Sequence, residues 1–206
     1  MKILRIPAGI YAANCYIIFS QGSKAGIIVD PGGDTDDLIK VIHDNKIELK
    51  YIVLTHGHGD HIGGVAELKS KFNIPLLIHE ADSELLKDGN KNFSNIMGMG
   101  TVELIPDRTI KDGDEILFGE LKANVIHTPG HTKGGICLKI NDQLISGDTL
   151  FKGSIGRTDL LGGSYEELIN SIKNKLLILP GETIVLPGHG QPSTIKVEKG
   201  SNPFLK

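Results

Sequence analysis

The chain has 206 residues, 39% hydrophobic and 23% charged, the makeup of an ordinary soluble globule long enough to bury a sizeable core without disulfides. Its net charge is −3, and among 22 basic residues only Arg5, Arg108 and Arg157 are arginines; they form no basic stripe, so neither nucleic acid nor an acidic membrane surface is an expected partner. There is no run of about eighteen apolar residues, no signal-peptide core near Met1 and no CxxC pair; a single domain over residues 1–206, cytoplasmic and unprocessed, with Cys15 and Cys137 as buried free thiols, is expected.

The first fifty residues read as three short strands, near Lys2–Ile6, Cys15–Phe19 and Gly26–Val29. A helix follows from Asp34, a good N-cap residue, to about Asn45. Leu49 to Leu54 (LKYIVL) is apolar and β-branched enough for a buried strand. It ends at THGHGDH, and the following IGGVAELKSKF has helical spacing, with Ile62, Val65, Ala66 and Leu68 as its apolar stripe. Asp60 and His61 therefore fall at a helix start. Leu76–Ile78 is a further short strand and Glu80–Lys87 a short helix. Residues 90–109 show no sustained period and predict an irregular excursion able to overhang a site. Strands near Leu121–Ile126, Gly135–Ile140 and Gln143–Ser146 follow, the last two joined by an Asn141-Asp142 turn. Ser164 and Glu167 form an S-x-x-E capping box for a helix to about Leu179, and a last strand, Thr183–Leu186, runs into PGHG. Runs of strands with helices between them in both halves predict two mixed sheets packed together with helices outside.

The chemistry is concentrated in THGHGDH, where His56, His58, Asp60 and His61 place three imidazoles and a carboxylate at a strand end. Gly57 and Gly59 let the loop turn tightly so that alternate donors converge. Four donors so close together imply a metal. His131 in HTPGHTKGG, Asp148 in SGDTLF and His189 in LPGHG each follow a predicted strand or a Pro-Gly turn, bringing the set to seven. A catalytic zinc needs about three protein ligands and a structural one about four, so seven predicts two ions with room for water. Imidazole and carboxylate suit zinc, with iron or manganese as alternatives, and a carboxylate can bridge two cations; Asp148 is the candidate bridge. Water shared by such a pair has its pKa lowered towards about 7. No G-x-S-x-G elbow and no cysteine beside a histidine competes as nucleophile.

Asp30, in IIVDPGG, reads equally as a carboxylate orienting a ligand histidine and as a plain turn residue. Arg157 and Lys152, in LFKGSIGRTD, are candidates to receive an anionic substrate or are simply solvated loop charges. Structural roles are favoured for His79 and His127, and His43 falls within a predicted helix.

The order and spacing of THGHGDH, TPGHT, SGDTLF and PGHG resemble those of the metallo-β-lactamase-fold hydrolases over essentially the whole chain. GSIGRTDLLGGS and GHGQPSTIKVEKGSNPFL are similar to the short, bacterial type II glyoxalase-like branch, the hydroxyacylglutathione hydrolases. This resemblance implies an α/β (α+β) fold, a four-layer αββα sandwich of two mixed β-sheets. It implies His56, His58 and His131 on a first metal, Asp60, His61 and His189 on a second, and Asp148 between them. The implied activity is hydrolysis of small 2-hydroxyacyl thioesters of the S-lactoylglutathione kind, with Asp60 also orienting the attacking hydroxide. Longer glyoxalase II enzymes append a helical domain that helps to hold glutathione, and their loop after the bridging aspartate carries a Lys and a Tyr. This chain ends at Lys206 and offers Arg157 and Asp159 there, so the thiol carrier stays open. Persulfide dioxygenases share much of the histidine framework and the GRTD segment but use one iron; His189 argues for the two-ion reading. Lactone or phosphoester hydrolysis on the same metals is a further alternative, and a metal-stabilised binding module fits seven donors without cysteine poorly.

Overall fold

The computed structural model describes all of residues 1–206. Strand β2 (Ala13–Phe19) shows how the layers arise, because every one of its residues is buried. Side chains alternate across a strand, so Cys15, Ile17 and Phe19 enter one apolar cluster while Tyr16 and Ile18 enter another. A strand buried on both faces needs a covering layer on each side.

The first sheet is built by β1 (Lys2–Ala8), β2, β3 (Ala25–Val29), β4 (Glu48–Val53), β5 (Leu76–His79) and β6 (Arg108–Ile110), in that spatial order. β1, β2 and β3 pair antiparallel, and β3 to β6 pair parallel. Parallel neighbours require crossovers. These are α1 (Thr35–Asp44) and the pair α2 (Gly59–Ile62) and α3 (Val65–Phe72), and the short α4 (Ser83–Leu86) follows β5. Leu38, Ile39 and Ile42 of α1 and Val65 and Leu68 of α3 pack on one face of this sheet.

The second sheet comprises β7 (Glu115–Phe118), β8 (Leu121–His127), β9 (Ile136–Ile140) and β10 (Gln143–Gly147). A hairpin, β11 (Leu150–Phe151) and β12 (Ser154–Ile155), and α5 (Tyr165–Ser171) then precede β13 (Ile184–Pro187), β14 (Ser193–Thr194) and α6 (Ile195–Ser201). The spatial order is β14-β13-β10-β9-β8-β7, with β10 and β13 parallel and the other pairs antiparallel. Ile27, Val53, Phe118, Val125 and Leu138 fill the space between the two sheets, whereas Leu168, Ile172 and Ile195 cover the outer face of the second. Three apolar layers thus separate four layers of structure, as expected of an αββα sandwich.

Several local expectations are modified. Asp34 stands before α1, but at φ 48° it makes no cap; its carboxylate accepts the Gly9 N–H at 2.8 Å instead. The helix after the histidines is broken into α2 and α3 at Gly63-Gly64, because the first helix passes so close to Gly32 that a Cβ on Gly63 would lie 2.4 Å from its carbonyl oxygen. Only half of the Ser164 capping box forms. The Ser164 hydroxyl accepts the Glu167 N–H at 3.3 Å, while the Ser164 N–H is spent on the Gly130 carbonyl. α5 then widens into a π-turn over Ile172–Leu176. The strands β6, β7, β11, β12 and β14 and the helix α6 have no counterpart in the expectation. No helix is long and apolar enough to cross a membrane. Cys15 and Cys137 are buried and free, as expected, and burial pushes the Cys137 thiol up to about 11.

His79, at the end of β5, and His127, at the end of β8, join the two sheets by stacking at 4.0 Å between centroids and 11° between planes. His79 Nδ1 accepts the Ala81 N–H, and His127 Nε2 donates to the Lys133 carbonyl. Burial, followed by repulsion from His127, lowers His79 from its ordinary value near 6.5 to about 4. The unfolded chain therefore binds a proton here before the folded chain does. The stability that this ring contributes is complete above pH 6.5 and is lost as the pH falls from 6.5 towards 4. In urea unfolding, His79→Gln is expected to shrink the difference in midpoint between pH 7 and pH 4.5 relative to wild type. A second expectation concerns Gly63. Helix propensity alone favours alanine there by about 1 kcal/mol, but the contact with Gly32 reverses the sign. Gly63→Ala should cost about 1–3 kcal/mol, as overpacking does, lowering Tm by about 2–4 °C per kcal/mol in a calorimetric scan.

Candidate metal centre

The strand ends of both sheets open on one edge of the sandwich. β4 delivers the His56–His61 loop, β8 the His131 turn, β10 Asp148 and β13 His189. All seven predicted donors meet there. His58 Nδ1 and His131 Nε2 are 2.9 Å apart, and with His56 they form one group of ligand atoms. His61 Nε2 is 3.3 Å from His189 Nε2, which is 3.2 Å from Asp60 Oδ2, and these three form another. Asp148 lies between the groups: Oδ1 is 3.5 Å from His61 Nε2, and Oδ2 is 3.7 Å from both His131 Nε2 and His189 Nε2.

The polar contacts around the rings decide which nitrogen faces the centre. Asp30 Oδ2 accepts from the Thr55 hydroxyl at 2.6 Å, which leaves that hydroxyl oxygen to accept from His56 Nδ1 at 3.2 Å. Asp30 Oδ2 also accepts from His61 Nδ1 at 3.1 Å, and Asp30 Oδ1 takes the Thr55 N–H. His131 Nδ1 donates to the Arg157 carbonyl at 2.8 Å. In a neutral ring a proton on Nδ1 leaves the Nε2 lone pair bare, so His56 and His131 present bare nitrogens to one volume, and His61 Nε2 joins them once a cation takes the place of that ring's second proton. Of the two readings of Asp30, the geometry selects the orienting carboxylate. Asp30 also falls within ligand distance of His56 and His61, but its oxygens are already engaged.

Whether a cation suits this arrangement can be tested on its unmet needs. His56 Nε2 and Asp148 Oδ1 are buried without a hydrogen-bond partner, a costly condition for polar atoms. Nitrogens bound tetrahedrally at about 2.0–2.1 Å stand roughly 3.3 Å apart, close to the 2.9 and 3.3 Å separations found. The donor set fits metal ions. Electrostatics agree. Burial and the neighbouring His131 hold His58 down at about 3. Burial would lower His61 as well, but Asp148, Asp60 and Asp30 overcome it and raise that ring to about 10. Asp60, despite burial that would raise it, is kept well below the carboxylate range by His61 and His189.

Other residues escape the sequence reading. Asn14 Nδ2 donates to the Pro187 and Gly190 carbonyls, the Tyr16 hydroxyl to Pro187 and Arg5 to Gly190, fixing the turn that carries His189. Asp82 accepts from Gly57, Thr132 and Gly134 and so touches two donor loops. Burial pushes its carboxyl up, against the pull of those three bonds. Asn14 sits inside an apolar strand string and Asp82 in a short helical turn; only their being polar in buried surroundings marks them, and that is invisible before folding.

The donors open into a cavity of about 430 Å³ whose walls include Tyr11, Met97, Phe151, Ile155, Leu160 and Arg157. The irregular excursion does overhang the site, placing Met97 in the wall and the Phe93 ring 5.5 Å from His58. Arg157 forks onto Asp159 through two bonds of 2.8 Å. Lys152, exposed at the hairpin tip between β11 and β12, is not part of the wall and is corrected to a solvated charge. His79 and His127 stay outside in their stacked pair, and His43 lies on α1 beside Phe72.

Comparison with known proteins agrees with this geometry. A relative from Haemophilus influenzae named hydroxyacylglutathione hydrolase GloC is 38% identical over 209 residues, covering 100% of this chain and 98% of its own. The crystal structure of BLEG-1 B3 metallo-beta-lactamase superposes with a TM-score of 0.94 at 37% identity, covering 100% of both chains. That of TTHA1623 in a di-iron-bound form gives 0.88 at 32% identity, covering 98% of this chain and 100% of the other. The model of the metallo-beta-lactamase superfamily matches residues 8–189, from the last residue of β1 to the last of the seven donors, and the chain belongs to that superfamily.

Proposed function

We propose that this metal-dependent hydrolase is a dinuclear thioesterase acting on small 2-hydroxyacyl thioesters. The observation that carries the reading is the position of Asp148, within 3.5–3.7 Å of donors from both groups. One ion would be held by His56, His58 and His131, the other by Asp60, His61 and His189, with Asp148 reaching both. Zinc suits these ligands, and the di-iron form of TTHA1623 supports iron as an alternative. A pair of divalent ions there supplies a water of lowered pKa as nucleophile and a Lewis acid for the carbonyl oxygen.

The chain's own residues do the rest. Asp60, on the cavity wall, is kept ionised by His61 and His189 and orients the attacking water. Tyr11, Met97, Phe151, Ile155 and Leu160 pack against the body of the substrate and exclude bulk water. Arg157, exposed on the same wall and already forked onto a carboxylate, receives an anionic group of the substrate by exchange with Asp159. A thiol of pKa about 8.5 leaves as thiolate, so no protein acid is needed for its departure. The name of the Haemophilus relative supports a thioester substrate. Two buried, unpaired thiols suit a reducing compartment such as the cytoplasm.

Metal analysis combined with a panel of lactoyl thioesters, a lactone, a phosphodiester, a β-lactam and a persulfide tests the reading. Two ions per chain and selective thioester turnover are expected. One iron with oxygen uptake on the persulfide, or two ions without thioester turnover, overturns it. Chelation should abolish turnover and zinc restore it. Asp148→Ala should lower kcat/KM by at least about a thousandfold, the equivalent of several kcal/mol of Lewis-acid stabilisation, with the circular dichroism spectrum retained. Arg157→Ala should raise KM for carboxylate-bearing thioesters about tenfold with little change in kcat, as loss of uniform binding does.

A further inference from the structure

Apart from the donors themselves, one buried carboxylate is bonded directly to both loops of the first donor group. Asp82 is 1% exposed at the end of the 3-10 turn Glu80–Asp82 that follows β5. Its Oδ2 accepts the N–H of Gly57, between His56 and His58, at 3.1 Å, and the hydroxyl of Thr132, directly after His131, at 2.8 Å. Its Oδ1 accepts the Gly134 N–H at 2.6 Å. Gly134 is pressed so close that a Cβ there would lie 2.6 Å from the Asp82 backbone nitrogen.

The three donors are two amides and a hydroxyl, and no lysine, arginine or histidine forms an ion pair with this carboxylate. A desolvated carboxylate is expensive. It is matched to its surroundings because only a side chain with two acceptor oxygens can take three donors that converge from two loops. Neutral asparagine offers one acceptor, so its amide nitrogen would face an N–H. The second donor group rests on other supports: Asn14, Tyr16 and Arg5 hold the His189 turn, and Asp30 orients His61. Asp30 also reaches the first group through Thr55, whereas Asp82 has no contact with the second.

We propose that Asp82 is the positioning residue of the first donor group, holding the His56–His58 loop and the His131 turn at the separation a cation requires. It sets the affinity of that site and leaves the second site unaffected. The inference rests on the assignment of His56, His58 and His131 to one ion.

The test is zinc titration of the full chain against a chromophoric chelator, with circular dichroism to verify folding. Asp82→Asn should weaken one of two zinc equivalents by about 10–100-fold, the range found for residues that orient ligands. That equivalent should be the one removed by His58→Ala, and the other should hold within about threefold. Thr132→Val, which deletes one donor of three, should weaken the same equivalent by a smaller factor; it replaces Asp82→Asn if that variant does not fold. Equal weakening of both equivalents, or of neither, overturns the proposal. A wild-type chain that takes up a single ion removes the two-ion reading instead; the role of Asp82 then falls separately if Asp82→Asn leaves that ion's affinity unchanged.

Discussion

Five imidazoles and two carboxylates crowd their nitrogens and oxygens together at 2.9 to 3.7 Å in one partly enclosed cleft, and the rest of the molecule is arranged around that constraint. Like partial charges are not left facing each other in a protein interior without a compensating positive charge. In the chain alone, His61 supplies some of it, drawn up to about 10 by the three carboxylates around it. Bound cations supply the rest more fully, and their affinity then becomes folding free energy. The site is assembled against its own electrostatics by contacts outside it.

Those contacts explain why the sandwich suits the task. His131, Asp148 and His189 stand just past strand ends and His56 and His58 in the loop leaving β4, while Asp60 and His61 lie in α2 beyond it, so the side chains reach over one edge of the sheets. Asp30 is the central example. Its backbone, at φ 52°, follows β3, its N–H bonds to the Val53 carbonyl of β4, and its carboxylate orients two histidines at once. One strand end thereby fixes ring tautomers on a neighbouring one. His189 is the least enclosed donor, about a third exposed, and its turn is gripped from β1 and β2 rather than through its ring. Each group takes donors from both sheets: His131 and His189 arrive from separate strand ends of the second sheet, β8 and β13, and their turns are held by different contacts.

The convergence of the seven candidate donors is legible in the sequence because strand-turn-histidine is a local pattern and because imidazole and carboxylate are the side-chain types that such a cluster requires. The layered fold was legible for a related reason: NCYIIF, IIV and KYIVL are apolar without alternation, the mark of strands covered on both faces. The supports were not. Asp82 and Asn14 touch backbone amides and carbonyls 25 to 176 residues away, and such partners impose no residue type at the other end. Asp34 precedes its helix as expected, but its carboxylate takes the remote Gly9 amide in place of one from the helix. The break at Gly63 was hidden because a Gly-Gly pair in an amphipathic run does not reveal which backbone passes beside it.

Substrate choice is a different kind of property from metal capture. Proteins as alike in fold as this chain and BLEG-1, at a TM-score of 0.94, carry names from more than one activity, so likeness of fold alone does not decide the substrate. The walls of the cavity can. Tyr11, half exposed on the turn between β1 and β2, and Phe151 and Ile155 of the β11–β12 hairpin form its apolar side. That hairpin is tied to the C-terminal helix: buried Glu198 accepts the Gly153 N–H at 2.9 Å, and Asn202 donates to the Ser154 carbonyl at 3.0 Å and to Glu198. Ser193, a few residues beyond His189, bonds to the same Glu198. The tail segment therefore couples the apolar wall to the strand end that carries His189, and changes in that tail can alter the cavity without altering any of the seven candidate donors.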